Sequence, residues 1–245
     1  LDPEKTISYE LGFKYQPSPY MVLDATFYCR DIRDLTGTRS DEISMFGGAS
    51  TYSKYENSDF AFVKGLVLSV NYFSMDGLSS NINYTIQQAK GTASSPSQAW
   101  NAAQGGSIAE TYMIPLDWDQ LHTLSTILSY SKNNYGISLI GKIGSGLPYT
   151  PLSSTNISSL IQNSDKKPLT STFDLKSYYI FSIGSVGLQV YFNIFNLFDN
   201  LNQSSVYNDS GVANYTTYQQ TAINQNTGEH VNTIQEWFEN ETYYS

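Results

Sequence analysis

Charge is scarce in this chain of 245 residues: only 14% of positions are Asp, Glu, Lys or Arg, against about a quarter in ordinary domains. That shortage excludes a charge-rich disordered tail, a coiled coil and a helix bundle of usual composition. Basic residues are the scarcer kind, 13 Lys and Arg against 22 Asp and Glu, for a net charge of −9. A nucleic-acid binder needs a positive field, so no nucleic-acid partner is expected. The one cysteine, Cys29, rules out a disulfide framework and a cysteine-held zinc. Two histidines, His122 and His230, leave little for a metal site, and neither a metal nor a cofactor is expected. No run approaches the roughly 18 apolar residues of a membrane-crossing helix.

What abounds is uncharged polarity (Asn, Ser, Thr, Gln) and aromatic rings, among them 20 Tyr and 12 Phe. These residues alternate. Ile7, Tyr9, Leu11, Phe13 and Tyr15 are separated by Ser8, Glu10, Gly12 and Lys14. Period two places the sets on opposite faces of a strand. The pattern recurs seven times. Its apolar sets are Met21–Leu23–Ala25–Phe27–Cys29, Leu66–Leu68–Val70–Tyr72, Leu78–Ile82–Tyr84–Ile86, Leu124–Leu128–Tyr130, Ile137–Leu139–Ile143, Phe173–Leu175–Tyr179–Phe181 and Leu188–Val190–Phe192–Ile194. Beyond Asp199 only Ser204 to Tyr207 and Trp237 to Tyr244 read as strands.

Connections alternate too. Tight turns lie near Pro17, Met75, Asn133 and Gly184, and long loops span about 34–54, 91–115 and 145–171. Aromatics crowd the tight turns: Phe13, Tyr15, Tyr20, Tyr72, Phe73, Tyr130, Tyr135, Tyr179 and Phe181. Short turns at one end, long loops at the other and an aromatic girdle are the marks of an outer-membrane barrel. A strand of about 12 residues at 3.3 Å each, tilted by 45°, rises about 28 Å, close to a hydrocarbon core. Lys14, Asp24, Arg30, Lys142, Asp174 and Lys176 all fall on polar faces, away from lipid. A soluble β-sandwich also alternates, but it explains neither the loop asymmetry nor the placement of rings. The expected fold is all-β, a transmembrane up-and-down antiparallel β-barrel whose greasy face meets acyl chains and whose polar face lines a wet pore. Apolar faces converging on a dry interior would overturn it.

Six ordered blocks carry a resemblance to TonB-dependent outer-membrane receptors. The run Leu1-Asp2-Pro3-Glu4 to Lys14 resembles their opening L-x-P-E block, and Ala25–Leu35 is similar to their A-F-Y-K-D-I-K-D-L strand. Lys64-Gly65-Leu66-Val67-Leu68 resembles K-G-x-E-L, with Val67 at the acidic position. Leu116-Asp117-Trp118-Asp119-Gln120-Leu121-His122-Thr123-Leu124 resembles L-D-W-D-Q-R-H-T-L, with Leu121 replacing the arginine. Gly144–Pro151 is similar to G-S-G-x-P-Y-T-P, and Asn193–Asp199 to N-x-x-N-L-F-D. The resemblance implies a 22-stranded barrel of which residues 1–245 form one segment, about 8–10 strands, truncated at both ends. Plug domain and last strand are then expected outside it, and the segment alone, with open edges, is not expected to insert.

The resemblance also implies function. It points to a receptor in the bacterial outer membrane, surrounded by its lipid, that imports a scarce, bulky small-molecule ligand. A siderophore, cobalamin or an oligosaccharide would serve, with energy coupled to the TonB complex through the plug. A passive porin-like channel or a surface adhesin is the alternative, and no enzyme is expected. Ligand contact is assigned to loop residues Trp100, Tyr112, Asp117, Trp118 and Asp119. The two aspartates could also be calcium ligands or paired carboxylates; a solvated rim is the favoured reading, with His122 as a rim hydrogen-bonder. Gly136–Lys142 fits seven positions of a phosphate loop, but Ile143 stands where Ser or Thr must reach magnesium.

Overall fold

A computed structural model describes residues 1–38, 43–48, 50–104, 112–152, 162–216, 221–223 and 230–232. Eight long strands form one antiparallel meander: β1 (Lys5–Ser18), β2 (Met21–Thr38), β3 (Tyr55–Phe73), β4 (Leu78–Gly91), β5 (His122–Lys132), β6 (Tyr135–Gly144), β7 (Thr170–Ile183) and β8 (Val186–Ile194). Each pairs with its sequence neighbours, and a short strand, Ile114–Pro115, adds to the upper end of β4. Among the described residues β1 and β8 do not pair, so the sheet is an open arc of a barrel.

Register keeps every alternating set on its side, since a slip by one residue would turn a whole strand over. On one face Phe13, Ala25, Leu68, Tyr84, Leu124 and Ile143 lie across from one another in succession, and Met21, Tyr72, Ser80, Leu128, Leu139, Leu175 and Ile194 form another rung. The opposite face carries the rung Lys14–Asp24–Ser69–Asn83–Ser125–Lys142–Thr172. Its side chains satisfy one another: Ser69 Oγ donates to Asn83 Oδ1 at 2.7 Å, and Asn83 Nδ2 to Asn81 Oδ1 at 2.6 Å.

The apolar face does not close on a dry core. Along that face Phe27 is 49% exposed and Leu68 40% at mid-strand, and Leu128 41% and Ile137 44% nearer the tight turns. Burial sits instead on the polar face at the long-loop end, where Tyr28, Ala61, Val63 and Ala89 pack beneath Leu116. A sheet that shows its greasy side outward and shelters a loop within is a membrane barrel wall.

Turn chemistry fixes the other end. Asn133 (φ 50°) and Gly184 (φ 62°) take the left-handed backbone that two-residue hairpins need. Tyr72, Tyr130, Tyr135 and Tyr179 stand on the lipid face near these turns, at the level where amphipathic rings are favoured.

Strands run further at the long-loop end than alternation suggests. Strand β2 continues to Thr38, through a bulge where Asp34 adopts φ 60°, and β3 begins at Tyr55. The loop expected over 34–54 is therefore shorter and holds a small hairpin, Ile43–Met45 with Ser50–Tyr52. A bulge shifts the alternation by one, and polar residues on both faces erase its contrast. The loop expected over 91–115 contains the helix α1 (Gln98–Gln104), and that over 145–171 a two-rung ladder, Pro148–Tyr149 with Asp165–Lys166. Ser204–Tyr207 is not a strand: Tyr207 N–H bonds to Val212 O and Gly211 N–H to Tyr207 O, a turn. Trp237 to Tyr244 lies outside the described residues.

Candidate functional site

The β4–β5 connection builds the site from a deficit in the sheet. Strand β5 starts at His122, opposite Ile86, whereas β4 runs on to Gly91, so the last residues of β4 face no long strand on that side. A bare N–H in that position costs free energy. The chain from Ile114 to Leu121 lies along this edge and fills it. Gln87 N–H bonds to Leu121 O at 2.9 Å, Leu116 N–H to Ala89 O at 3.1 Å, and Ala89 N–H to the Asp119 carboxylate (Oδ1) at 2.7 Å. A side chain thus completes the ladder where backbone runs out. Leu116 drops from the same segment onto Ala61, Val63 and Ala89, pinning the connection to the luminal wall.

Asp119 is 4% exposed. Its second oxygen meets Lys166 Nζ at 3.0 Å, and the same ammonium donates to Asp119 O at 3.0 Å. Charge-assisted bonds on both oxygens repay the desolvation of the carboxylate. Asp117 is exposed, yet its Oδ1 accepts from Asn163 Nδ2 at 2.7 Å, and Asn163 Nδ2 also reaches Pro115 O at 2.8 Å. Asn163 is buried, with a φ of 58° that asparagine tolerates well. Its N–H donates to Thr150 Oγ1 at 3.1 Å. Nearby, Tyr149 OH donates to Asp165 Oδ2 at 3.2 Å; burial, then the Asp165 carboxylate, raises the phenol above the ordinary tyrosine value. Two loops far apart in sequence are zipped along one seam.

The expected site residues divide. Asp117 and Asp119 come together with Asn163 and Lys166 as ties. Trp118, between them, is 47% exposed, as is Tyr112. Trp100 is half-buried on α1, its backbone N–H donating to Thr38 Oγ1 at 3.3 Å, which seats the helix against the tip of β2. His122 lies on the lipid side, its ring stacked on Tyr84 with Nδ1 and the tyrosine hydroxyl 2.9 Å apart, a hydrogen-bonder at the rim. Asn163 and Lys166 escape a reading of the sequence, because nothing in the polar run Asn163-Ser164-Asp165-Lys166 marks a distant carboxylate as partner.

The family model described as "TonB dependent receptor-like, beta-barrel" matches residues 1–197. The chain belongs to the TonB-dependent receptor β-barrel family. No curated protein sequence matches it. Solved structures share the receptor-barrel fold at low identity. The outer membrane transporter YddB from Escherichia coli has a TM-score of 0.61 at 13% identity, over 80% of this chain and 29% of that one. The ferric-catecholate import receptor Fiu from E. coli K12 has a TM-score of 0.51 at 17% identity, over 86% of this chain and 25% of that one. The FrpB iron transporter from Neisseria meningitidis has a TM-score of 0.54 at 13% identity, over 80% and 27%. The chain therefore spans between a quarter and a third of these receptors' length. Family and fold place this receptor-barrel segment in the bacterial outer membrane. The block Leu116–His122 gains a physical meaning here: it is the seam itself, with Gln120 tying on through Nε2 to Ser145 O at 2.9 Å.

Proposed function

We propose that the chain is part of an active importer, in which the long-loop end captures a bulky organic ligand and a plug domain couples release to the TonB complex. The observation that carries this is the seam: two buried or bonded aspartates hold Trp118 out toward solvent beside a polar luminal wall. In this reading Asp117 and Asp119 act on the ligand through the loop they fix, and Trp118, Tyr112 and Trp100 supply the aromatic faces it meets. Exposed rings suit flat or sugar-like surfaces, since stacking adds about 0.5–1.5 kcal/mol beyond area burial. No acid, base or nucleophile is needed. A siderophore, cobalamin or an oligosaccharide all present such surfaces. The test is ligand uptake by cells bearing the protein, with and without a functional TonB complex. Uptake that stops when TonB is removed supports the reading. High ion conductance in a planar bilayer without TonB overturns it in favour of a passive channel.

A further inference from the structure

The lipid face carries cations at its two edges: Lys132 beside the tight turn after β5, and a larger group at the long-loop end. Its outward residues at the long-loop end include Lys5, Arg33, Asp31, Lys64 and Lys90, on adjoining rungs. Two of the cations are neutralised locally. Arg33 holds Asp31 through Nε at 3.0 Å and Nη2 at 2.7 Å, and Lys5 holds Asp34 at 2.8 Å. Lys64 and Lys90 have no bonded partner among the described residues. Lys64 lies across from Cys29 and Gln88, and Lys90 across from Phe62. The two are thus diagonal neighbours on one face, with Cβ atoms about 7 Å apart. Like charges so placed repel one another unless an anion joins them.

Their depth identifies the anion. From Tyr72 in the lower girdle to Lys64 is about 26 Å of strand, roughly 19 Å of rise at a 45° tilt. An apolar band of about 25 Å leaves both ammoniums just beneath the outer headgroups, and lysine stems snorkel the rest. Directly below them Leu11, Phe27, Leu66 and Ile86 form an apolar run, which meets His122 on β5. Hydrocarbon underneath and two unpaired cations above, with the neighbouring carboxylate of Asp31 already held by Arg33, describe the seat of an anionic lipid.

We propose that Lys64 and Lys90 form a binding site for the phosphate-bearing headgroup of an outer-leaflet lipid, whose acyl chains lie on Phe27, Leu66 and Ile86. The site rests on the membrane orientation of the sheet and is independent of which ligand is imported. The closed receptor barrel that carries this segment is reconstituted in nanodiscs of phosphatidylcholine with one-tenth phosphatidic acid, and the lipids retained after extraction are counted by native mass spectrometry. The ratio of phosphatidic acid to phosphatidylcholine retained is expected to exceed that of the bilayer about tenfold. K64Q/K90Q lowers it to near the bilayer's own ratio, and K64R/K90R keeps it. Lys167→Gln, on a loop lysine that donates to Ser204 O, leaves it unchanged. Heat-modifiable migration verifies that each barrel is folded; if the double variant does not fold, each single variant is expected to lose about threefold. Millimolar inorganic phosphate leaves the retention intact, because acyl chains contribute to it. The proposal is overturned if the glutamine variants retain phosphatidic acid like wild type, if wild type shows no preference, or if inorganic phosphate alone abolishes it, which marks a free-anion site.

Discussion

Lys166 Nζ sits 3.0 Å from Asp119 Oδ2, joining two loops whose partners are 47 residues apart in sequence. The lysine side chain is 39% exposed and the aspartate 6%. The pair is therefore asymmetric: removing the lysine strands a buried carboxylate, whereas removing the aspartate leaves a lysine that water can reach.

Asp119→Ala deletes that carboxylate and also orphans the Ala89 N–H it accepts from. An unsatisfied buried donor costs about 1–3 kcal/mol. The barrel is expected to remain folded while residues 112–121 open. Hydrogen exchange read by mass spectrometry should show faster exchange there and in 162–167, with β5 and β6 unchanged. Unaltered exchange in both loops would count against the seam.

The two faces should answer differently to a new charge. Leu68→Lys puts an ammonium on the lipid side about 9 Å above Tyr72 of the girdle, near mid-depth, a change costing about 2–4 kcal/mol. Ser69→Lys adds the same group to the luminal rung beside Asn83 and Asp24, where water reaches it. Urea unfolding in lipid should show a clear loss for the first and under about 1 kcal/mol for the second. Equal losses would contradict the assignment of faces.

Glycines on β6 make room for rings. A Cβ at Gly136 would collide with the ring of Tyr178, its cross-strand partner, and one at Gly141 with Phe173. Gly187, by contrast, has open space around it. Gly141→Ala is expected to cost about 1–3 kcal/mol through displaced packing, and Gly187→Ala about nothing, in the same unfolding assay.

Tyr149 supplies a pH signature. Its phenol is held above the usual value first by burial and then by Asp165, so the folded seam favours the protonated form. The stabilisation is complete below the ordinary tyrosine pKa, about 10, and is lost as pH rises through the higher folded value. Difference absorbance at 295 nm between wild type and Tyr149→Phe should titrate later than free tyrosine. Asp165→Asn should shorten that delay without removing it, because burial remains.

The arc of eight strands was legible in the sequence because lipid and water impose opposite demands on neighbouring residues. Leu66–Leu68–Val70–Tyr72 on β3 shows this in outline. Legibility failed where those demands relax. Above the membrane both faces of β2 meet water, so the bulge at Asp34 and the run to Thr38 left no alternation to read. The site was half visible. Trp118 announces itself as a ring on a loop, but the role of Asp119 depends on β4 outlasting β5, and no local pattern encodes that mismatch.

Uneven strand length shapes the doorway. Strand β3, with 19 residues, climbs about 44 Å along the normal at a 45° tilt, and β6, with 10, only about 23 Å. The ladder at β3 thus stands about 20 Å taller than at β6, three strands along, where the seam of the two loops rests above the strand. On the low side, height comes from side-chain bonds between loops in place of a backbone ladder, so loosening Lys166 or Asn163 lowers that side alone.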